Sequence, residues 1–225
     1  LAPQDMTAQI DRYDSEIRFM DHHFGRLLQG LRAVGRYDHA LIVVVADHGE
    51  SFGEHGLVSH GPWLYEELLH VPLLVRFPGG RDGGRVVDTP VSLVDLLPLI
   101  ARETGIVLPS AVEGLPLGQR QLVVAEAFRS RVFIKVLGER FDRDLVAAVR
   151  WPWKLIVPDI GQVELYRLDE DPRELHNRRG EAIEQDIRRA LDLTRAAFSP
   201  PAVPAVPKNV NPATMKRLKA LGYLG

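Results

Sequence analysis

Four of the eight histidines in this 225-residue sequence fall between Asp47 and His70, in company with Asp47, Glu50, Glu54, Glu66 and Glu67. Asp47 and His48 stand side by side where an apolar run, Leu41 to Ala46, gives way to Gly49. If the chain turns there, one carboxylate oxygen and one imidazole nitrogen reach a common point, which is half of a divalent-metal site. The remaining ligands must come from elsewhere. The plain alternative is a turn in which Asp47 caps the next segment and His48 is incidental. His55 and His60 lie in a loop with Gly53, Gly56 and Gly61, where a freed backbone lets a side chain approach a ligand closely. A solvated loop histidine is the alternative for each. A zinc site made from His48, His55 and His60 alone is disfavoured, because their spacing matches none of the compact histidine motifs. His70, just ahead of a strand, is expected to make a structural hydrogen bond. Glu66 and Glu67 are helix neighbours and point to different faces. Ser51 and Ser59 lack the G-x-S-x-G elbow of a serine nucleophile.

These residues need elements to hold them. From Tyr13 to Val34, Ile17, Met20, Phe24, Leu27, Leu28, Leu31 and Val34 recur at spacings of three and four, which predicts a helix with one buried face, ended by Gly35. Leu41 to Ala46 is continuous enough to be a strand buried on both faces, so helix and strand together form the half-unit of an α/β sheet. Ligand sites in such sheets lie beyond the carboxyl ends of strands, where Asp47 and His48 fall. Leu64 to His70 predicts a short helix, Val71 to Arg76 a second buried strand, and Ser92 to Glu103 a further helix. After Pro109 the texture changes. Leu122 to Ala127, Val132 to Leu137, Leu145 to Val149, Lys154 to Val157 and Val163 to Leu168 are closely spaced strand-like runs, which predict a small antiparallel sheet. Glu181 to Phe198 predicts an amphipathic helix, Ser199 to Pro207 a stiff extended segment, and Thr214 to Gly225 a short terminal helix. The expected divisions are an α/β core over 1–110, an antiparallel-sheet subdomain with its helix over 111–198, and an extended tail over 199–225.

Composition narrows the functions available. With 45% hydrophobic and 26% charged residues and a formal charge of −2, the chain has no bulk electrostatic grip on nucleic acid or an anionic membrane. Cysteine is absent, which excludes disulfides, a thiolate nucleophile and Cys-ligated metal within these residues. No apolar run approaches the roughly 20 residues of a membrane span. The first residues lack a starting Met and a signal-peptide core, so the chain is expected to be a piece of something longer.

At the Asp47 loop the sequence resembles the sulfatase family of the alkaline phosphatase superfamily. The likeness is carried by Ala46-Asp-His-Gly-Glu50, Phe52-Gly-Glu-His-Gly56, His60-Gly61, Leu64-Tyr-Glu-Glu67 and His70-Val-Pro-Leu-Leu-Val75. It continues in Trp153-Lys-Leu-Ile156, in Glu164-Leu-Tyr-Arg-Leu-Asp-Glu-Asp-Pro-Arg-Glu174 with Asn177, and in the ending Leu218-Lys-Ala-Leu-Gly-Tyr-Leu-Gly225. The resemblance implies part of an α/β/α sandwich followed by a small antiparallel sheet and a C-terminal helix. It implies that Asp47 and His48 bind a divalent cation, usually calcium, with manganese or zinc as alternatives. His60 falls where many members have a Lys that contacts the ester oxygens. A histidine there can protonate a leaving group near neutral pH, which an ordinary lysine does poorly. His55 belongs to a loop-shaping element.

The family's nucleophile, a Cys or Ser in a C/S-x-P-S-R-type motif converted to formylglycine, has no counterpart here. The chain is therefore expected to be the C-terminal part of a sulfatase-like hydrolase, inactive alone, whose partners are the N-terminal half of the same protein and a small-molecule or saccharide sulfate ester. Self-association through uncovered edges is a further expectation. The same framework also serves phosphodiesterases and phosphonate monoester hydrolases, and a non-catalytic fragment is the reading from a different class. Many relatives are exported or membrane-tethered, and any such signal would lie upstream of Leu1.

Overall fold

The computed structural model describes residues 3–110 and 112–197, with Asn211 and Arg217. The tail over 199–207 and the terminal helix expected over 214–225 lie outside the described residues, Arg217 apart. Two compact units divide the chain, Leu1–Asp192 and Leu193–Gly225. The elements that position the site lie in the first.

Helix α1 (Pro3–Ala33) leads through a short 3₁₀ turn into strand β1 (Ile42–Val45). A small hairpin of β2 (Ser51–Phe52) and β3 (Val58–Ser59) follows, then the single-turn helix α2 (Glu66–Leu69) and strand β4 (Leu73–Arg76). β1 and β4 pair antiparallel, Ile42 opposite Arg76 and Val45 opposite Leu73. Both runs are only partly buried, not covered on both faces as their apolar sequences imply. The stripe along α1 departs further from expectation. Ile17, Met20, Leu27 and Val34 are each about half exposed or more, and only Phe24, Leu28 and Leu31 are half-buried. The helical period is right and the burial is not, because among the described residues nothing packs over that stripe.

Helix α3 (Leu96–Thr104) starts from a 3₁₀ turn closed by a reciprocal cap between Ser92 and Asp95. Buried Asp95 also takes a forked hydrogen bond from Arg120 and one from the Leu115 amide, which ties the 113–120 segment to this helix start. Burial alone would raise the Asp95 carboxyl, but these donors outweigh it and hold it below its ordinary 3.8.

The second half is a four-stranded antiparallel sheet in chain order: β5 (Val123–Ala127), β6 (Leu145–Arg150), β7 (Trp153–Pro158) and β8 (Glu164–Arg167). The run Val132–Leu137, expected as a strand, is instead helix α4 (Arg131–Leu137). A short apolar run fits either period. Here Phe133 and Ile134 project together onto the cluster of Leu57, Trp63, Leu68 and Phe141, which a strand's alternation would not allow. One face of the sheet is covered by α5 (Ala182–Ala197), through Ile187 and Leu191 against Ala148, Leu155 and Leu165. The other face, Leu145, Ala147, Ile156 and Tyr166, packs against Leu64, Tyr65 and Leu69. The loop that carries the histidines is therefore seated on the antiparallel sheet, and that sheet fixes where the loop stands.

Candidate active site

The turn after β1 presents Asp47 and His48 to solvent, their side chains 89% and 46% exposed. His48 donates its backbone N–H to Asp47 Oδ1 at 3.0 Å and its ring Nδ1–H to the Gly49 carbonyl at 2.9 Å. The carbonyl can only accept, so the proton sits on Nδ1 and the Nε2 lone pair is left free. A ring nitrogen anchored to a backbone carbonyl, with the other nitrogen free, is the arrangement that metal-binding histidines use. Nε2 lies 3.9 Å from Asp47 Oδ2, too far for a hydrogen bond and close enough for both atoms to meet one cation. The donor set, one imidazole nitrogen and one carboxylate oxygen, fits a divalent ion, which would need further donors beyond this pair.

Gly49 makes the turn possible. Its N–H donates to the Leu68 carbonyl at 2.9 Å, and a Cβ at this position would run into the Glu67 carbonyl of α2. The hairpin then returns the chain beside the turn, with Ser51 opposite Ser59. This brings His60 against His48, ring centroids 4.4 Å apart and tilted by 36°. Glu50 Oε2 accepts from His60 Nδ1 at 3.1 Å. Gly61 lies on the indole of buried Trp63, where a Cβ would strike the ring, and Trp63 Nε1 donates to the buried Ser51 hydroxyl at 3.0 Å. All three residues singled out from the sequence, Asp47, His48 and His60, thus stand on one exposed rim.

His55 goes elsewhere. Its backbone is left-handed (φ 51°), its ring lies flat on Tyr65 at 3.7 Å, and its Nε2 is 3.9 Å from Glu67. His70, expected in a structural hydrogen bond, is 83% exposed and comes only within 3.8 Å of Glu66. A second ionic group, which sequence reasoning missed, lies under α2. Lys154 of β7 is fully buried, its Nζ 2.9 Å from Glu66 Oε1 and 2.8 Å from Glu174 Oε1. Glu174 also accepts the Glu66 backbone N–H at 2.6 Å. Burial pushes the Glu174 carboxyl up from its ordinary 4.5 to about 7; the charge and hydrogen bond of Lys154 and the Glu66 N–H oppose this without overcoming it. The sequence did hold a signal. Lys154 shares a strand face with Ile156, two residues on, and pairs across to Tyr166, so the period of two puts it in the core. Oxygen and nitrogen atoms of His55, Glu67 and Glu174 lie within 4.8 Å of one another, beside a cavity of about 350 Å³, yet the Lys154 ammonium already supplies the positive charge there. Nearby, Tyr65 and Tyr166 both donate to Glu164, and burial with that carboxylate raises both phenols.

Residues 2–106 match the family model described as Sulfatase. Among curated proteins, the chain is 31% identical over 165 residues to an uncharacterized sulfatase, YidJ, of Escherichia coli strain K12, covering 71% of this chain and 32% of that protein. A solved structure in complex with its substrate D-glucosamine-2-N,6-O-disulfate aligns with a TM-score of 0.69 at 26% identity, over 79% of this chain and 38% of that one. The phosphonate monoester hydrolase of Agrobacterium radiobacter aligns with a TM-score of 0.64, also at 26% identity, over 79% and 39%. The chain thus spans about a third of the length of curated relatives such as YidJ.

Proposed function

The chain belongs to the sulfatase family of the alkaline phosphatase superfamily, and from that premise we propose that it forms the part of a metal-dependent sulfuric ester hydrolase that supplies two metal ligands and the histidine facing the leaving group. The observation that carries this reading is the rim itself: His48 Nε2 and Asp47 Oδ2 3.9 Å apart, with the His60 ring against that of His48. Asp47 and His48 would hold the cation, calcium first and manganese or zinc next. Once bound, it neutralises charge on the ester's oxygens and so favours attack at sulfur. Gly49 and α2 keep the two ligands turned outward. As the imidazolium, with its Nδ1–H held by Glu50, His60 donates from Nε2–H to the departing alkoxide oxygen and so stabilises or protonates it.

The nucleophile belongs to a further part of the protein, a Cys or Ser matured to formylglycine. Two observations support this: these residues contain no Cys, and the stripe of Ile17, Met20, Leu27 and Val34 lies uncovered, as it would where another segment packs. This chain alone would then turn over nothing. The substrate class we favour is a saccharide or small-molecule sulfate ester, on the strength of the substrate held by the structural relative. The second reading is a phosphonate monoester hydrolase, supported by the comparable likeness to that enzyme. The test is an assay of the intact protein, calcium present, on an aryl sulfate, glucosamine 6-O-sulfate and an aryl phosphonate in parallel. Preferential turnover of a sulfate is expected. Preferential turnover of the phosphonate overturns the sulfatase reading in favour of the second.

A further inference from the structure

His60 is held on two sides. Across its face lies the His48 ring, and in its plane the Nδ1–H donates to Glu50 Oε2 at 3.1 Å. The carboxylate is presented by a rigid piece of chain. Glu50 directly precedes Ser51, which is fully buried, receives the Trp63 indole N–H and pairs with Ser59 across the hairpin. Ser59 in turn directly precedes His60. Donor and acceptor thus extend the same two-stranded ladder by one step, and the short hairpin fixes their distance. Glu50 is 21% exposed and His60 55%, so the outer edge of the imidazole is open while the inner edge is committed.

We infer that Glu50 is a positioning residue for His60, acting in the ester hydrolysis proposed above and resting on that reading. By accepting from Nδ1–H, Glu50 fixes the ring so that Nε2, at the opposite edge, meets the leaving-group oxygen. As the acid, His60 acts as the imidazolium, giving its Nε2 proton to the alkoxide and keeping the Nδ1 proton on Glu50. Groups that orient a functional imidazole in this way are worth about 10- to 100-fold when removed. An alanine at position 50 leaves His60 able to turn about its own side-chain bonds, with only the His48 ring to guide it.

The test uses the intact protein with 4-nitrophenyl sulfate and a long-chain alkyl sulfate, comparing Glu50→Ala and Glu50→Gln alone and each combined with His60→Ala. Expected results are a kcat lower by about 10- to 100-fold for Glu50→Ala with KM little changed, and recovery of most of that by Glu50→Gln, whose amide oxygen can still accept. The loss should be larger on the alkyl ester, whose leaving group needs more help. In the His60→Ala background Glu50→Ala should cost nothing more, since it acts through the ring that is gone. An equal loss with and without His60, or none at all, overturns the inference. Nitrogen-15 spectra of the histidine rings give an independent reading: in its neutral form the His60 ring should be one tautomer, protonated at Nδ1, in the wild type and mixed in Glu50→Ala. An unchanged His60 spectrum in the variant overturns the pairing. If the wild type hydrolyses neither ester, the sulfatase reading falls, and the spectra still decide whether Glu50 sets the ring.

Discussion

Two ionic clusters flank α2, built from the same kinds of side chain and placed in opposite surroundings. On the outer side Asp47, His48, Glu50 and His60 form a rim open to water, held by backbone hydrogen bonds and by a two-stranded hairpin. On the inner side Lys154, Glu66 and Glu174 are packed into the protein, and Lys154 has no exposed surface. The outer groups keep donor atoms in reserve and contribute little to stability, because solvent screens them. The inner cluster pairs one fully buried ammonium with two carboxyl groups, partly exposed Glu66 and buried Glu174, and Glu174 holds its proton up to about pH 7. Lys154 without them would be a buried, uncompensated ion. The four residues of α2 join the two. Glu66 takes part in the inner cluster, the Glu67 carbonyl walls the Gly49 turn, and the Leu68 carbonyl receives the Gly49 N–H.

That contrast makes sharp demands. Asp47→Ala should lower turnover of the intact protein by about two to four powers of ten while shifting unfolding free energy by less than about 0.5 kcal/mol. A comparable loss of stability, seen in urea titration, would erase the distinction between the clusters. Lys154→Met should do the reverse in order of effect, costing about 3–5 kcal/mol of stability in the same titration, with part recovered when Glu174→Gln is added. A cost below about 1 kcal/mol would mean the inner charges are wet after all.

The pH dependence of stability separates the clusters without mutation. Glu174 keeps its proton in the folded protein up to about pH 7, whereas the unfolded chain releases it near 4.5. The folded state thus binds more protons across that window, so this group's stabilisation is full below about pH 4.5 and falls as pH rises to 7, by up to about 3 kcal/mol. Asp95 acts with the opposite sign at the acid end: its stabilisation is present above its ordinary 3.8 and is lost as pH falls further. Thermal melts from pH 4 to 8 should show the decline, and Glu174→Gln should flatten it. Smallest is Gly49→Ala, expected to cost about 1–3 kcal/mol from the backbone collision, and to lower activity because the turn cannot stay where it is.

Much of this was legible before any coordinates. The three-and-four spacing located α1, the continuous runs located β1 and β4, and the closely spaced runs located the antiparallel sheet. The strand-end position marked Asp47 and His48 as candidate ligands, and the family resemblance rather than spacing singled out His60 over His55. What escaped was whatever depended on partners distant in sequence. Val132–Leu137 has a strand's residues, but its neighbours Trp63 and Phe141 made it a helix. Lys154 stood in a strand run with a core-facing period, but its pairing with Glu66 and Glu174 joins residues well separated in the chain, which no local pattern shows. The stripe on α1 looked like core because an apolar face signals that something must cover it, and cannot say whether the cover belongs to the same stretch of chain.

One contact has an optical consequence. Trp63 is buried at 3% exposure, hydrogen-bonded through its indole nitrogen, and lies directly against Gly61, the residue that follows His60. Excited indole is sensitive to displacements of such close neighbours, so its emission is a built-in gauge of the His60 segment. Titrating calcium or a sulfate ester while watching that fluorescence would register the loop's adjustment directly, with no label and no turnover required. Trp151, about half exposed, can be quenched by a soluble agent, and a Trp153→Phe background removes the remaining, partly buried indole.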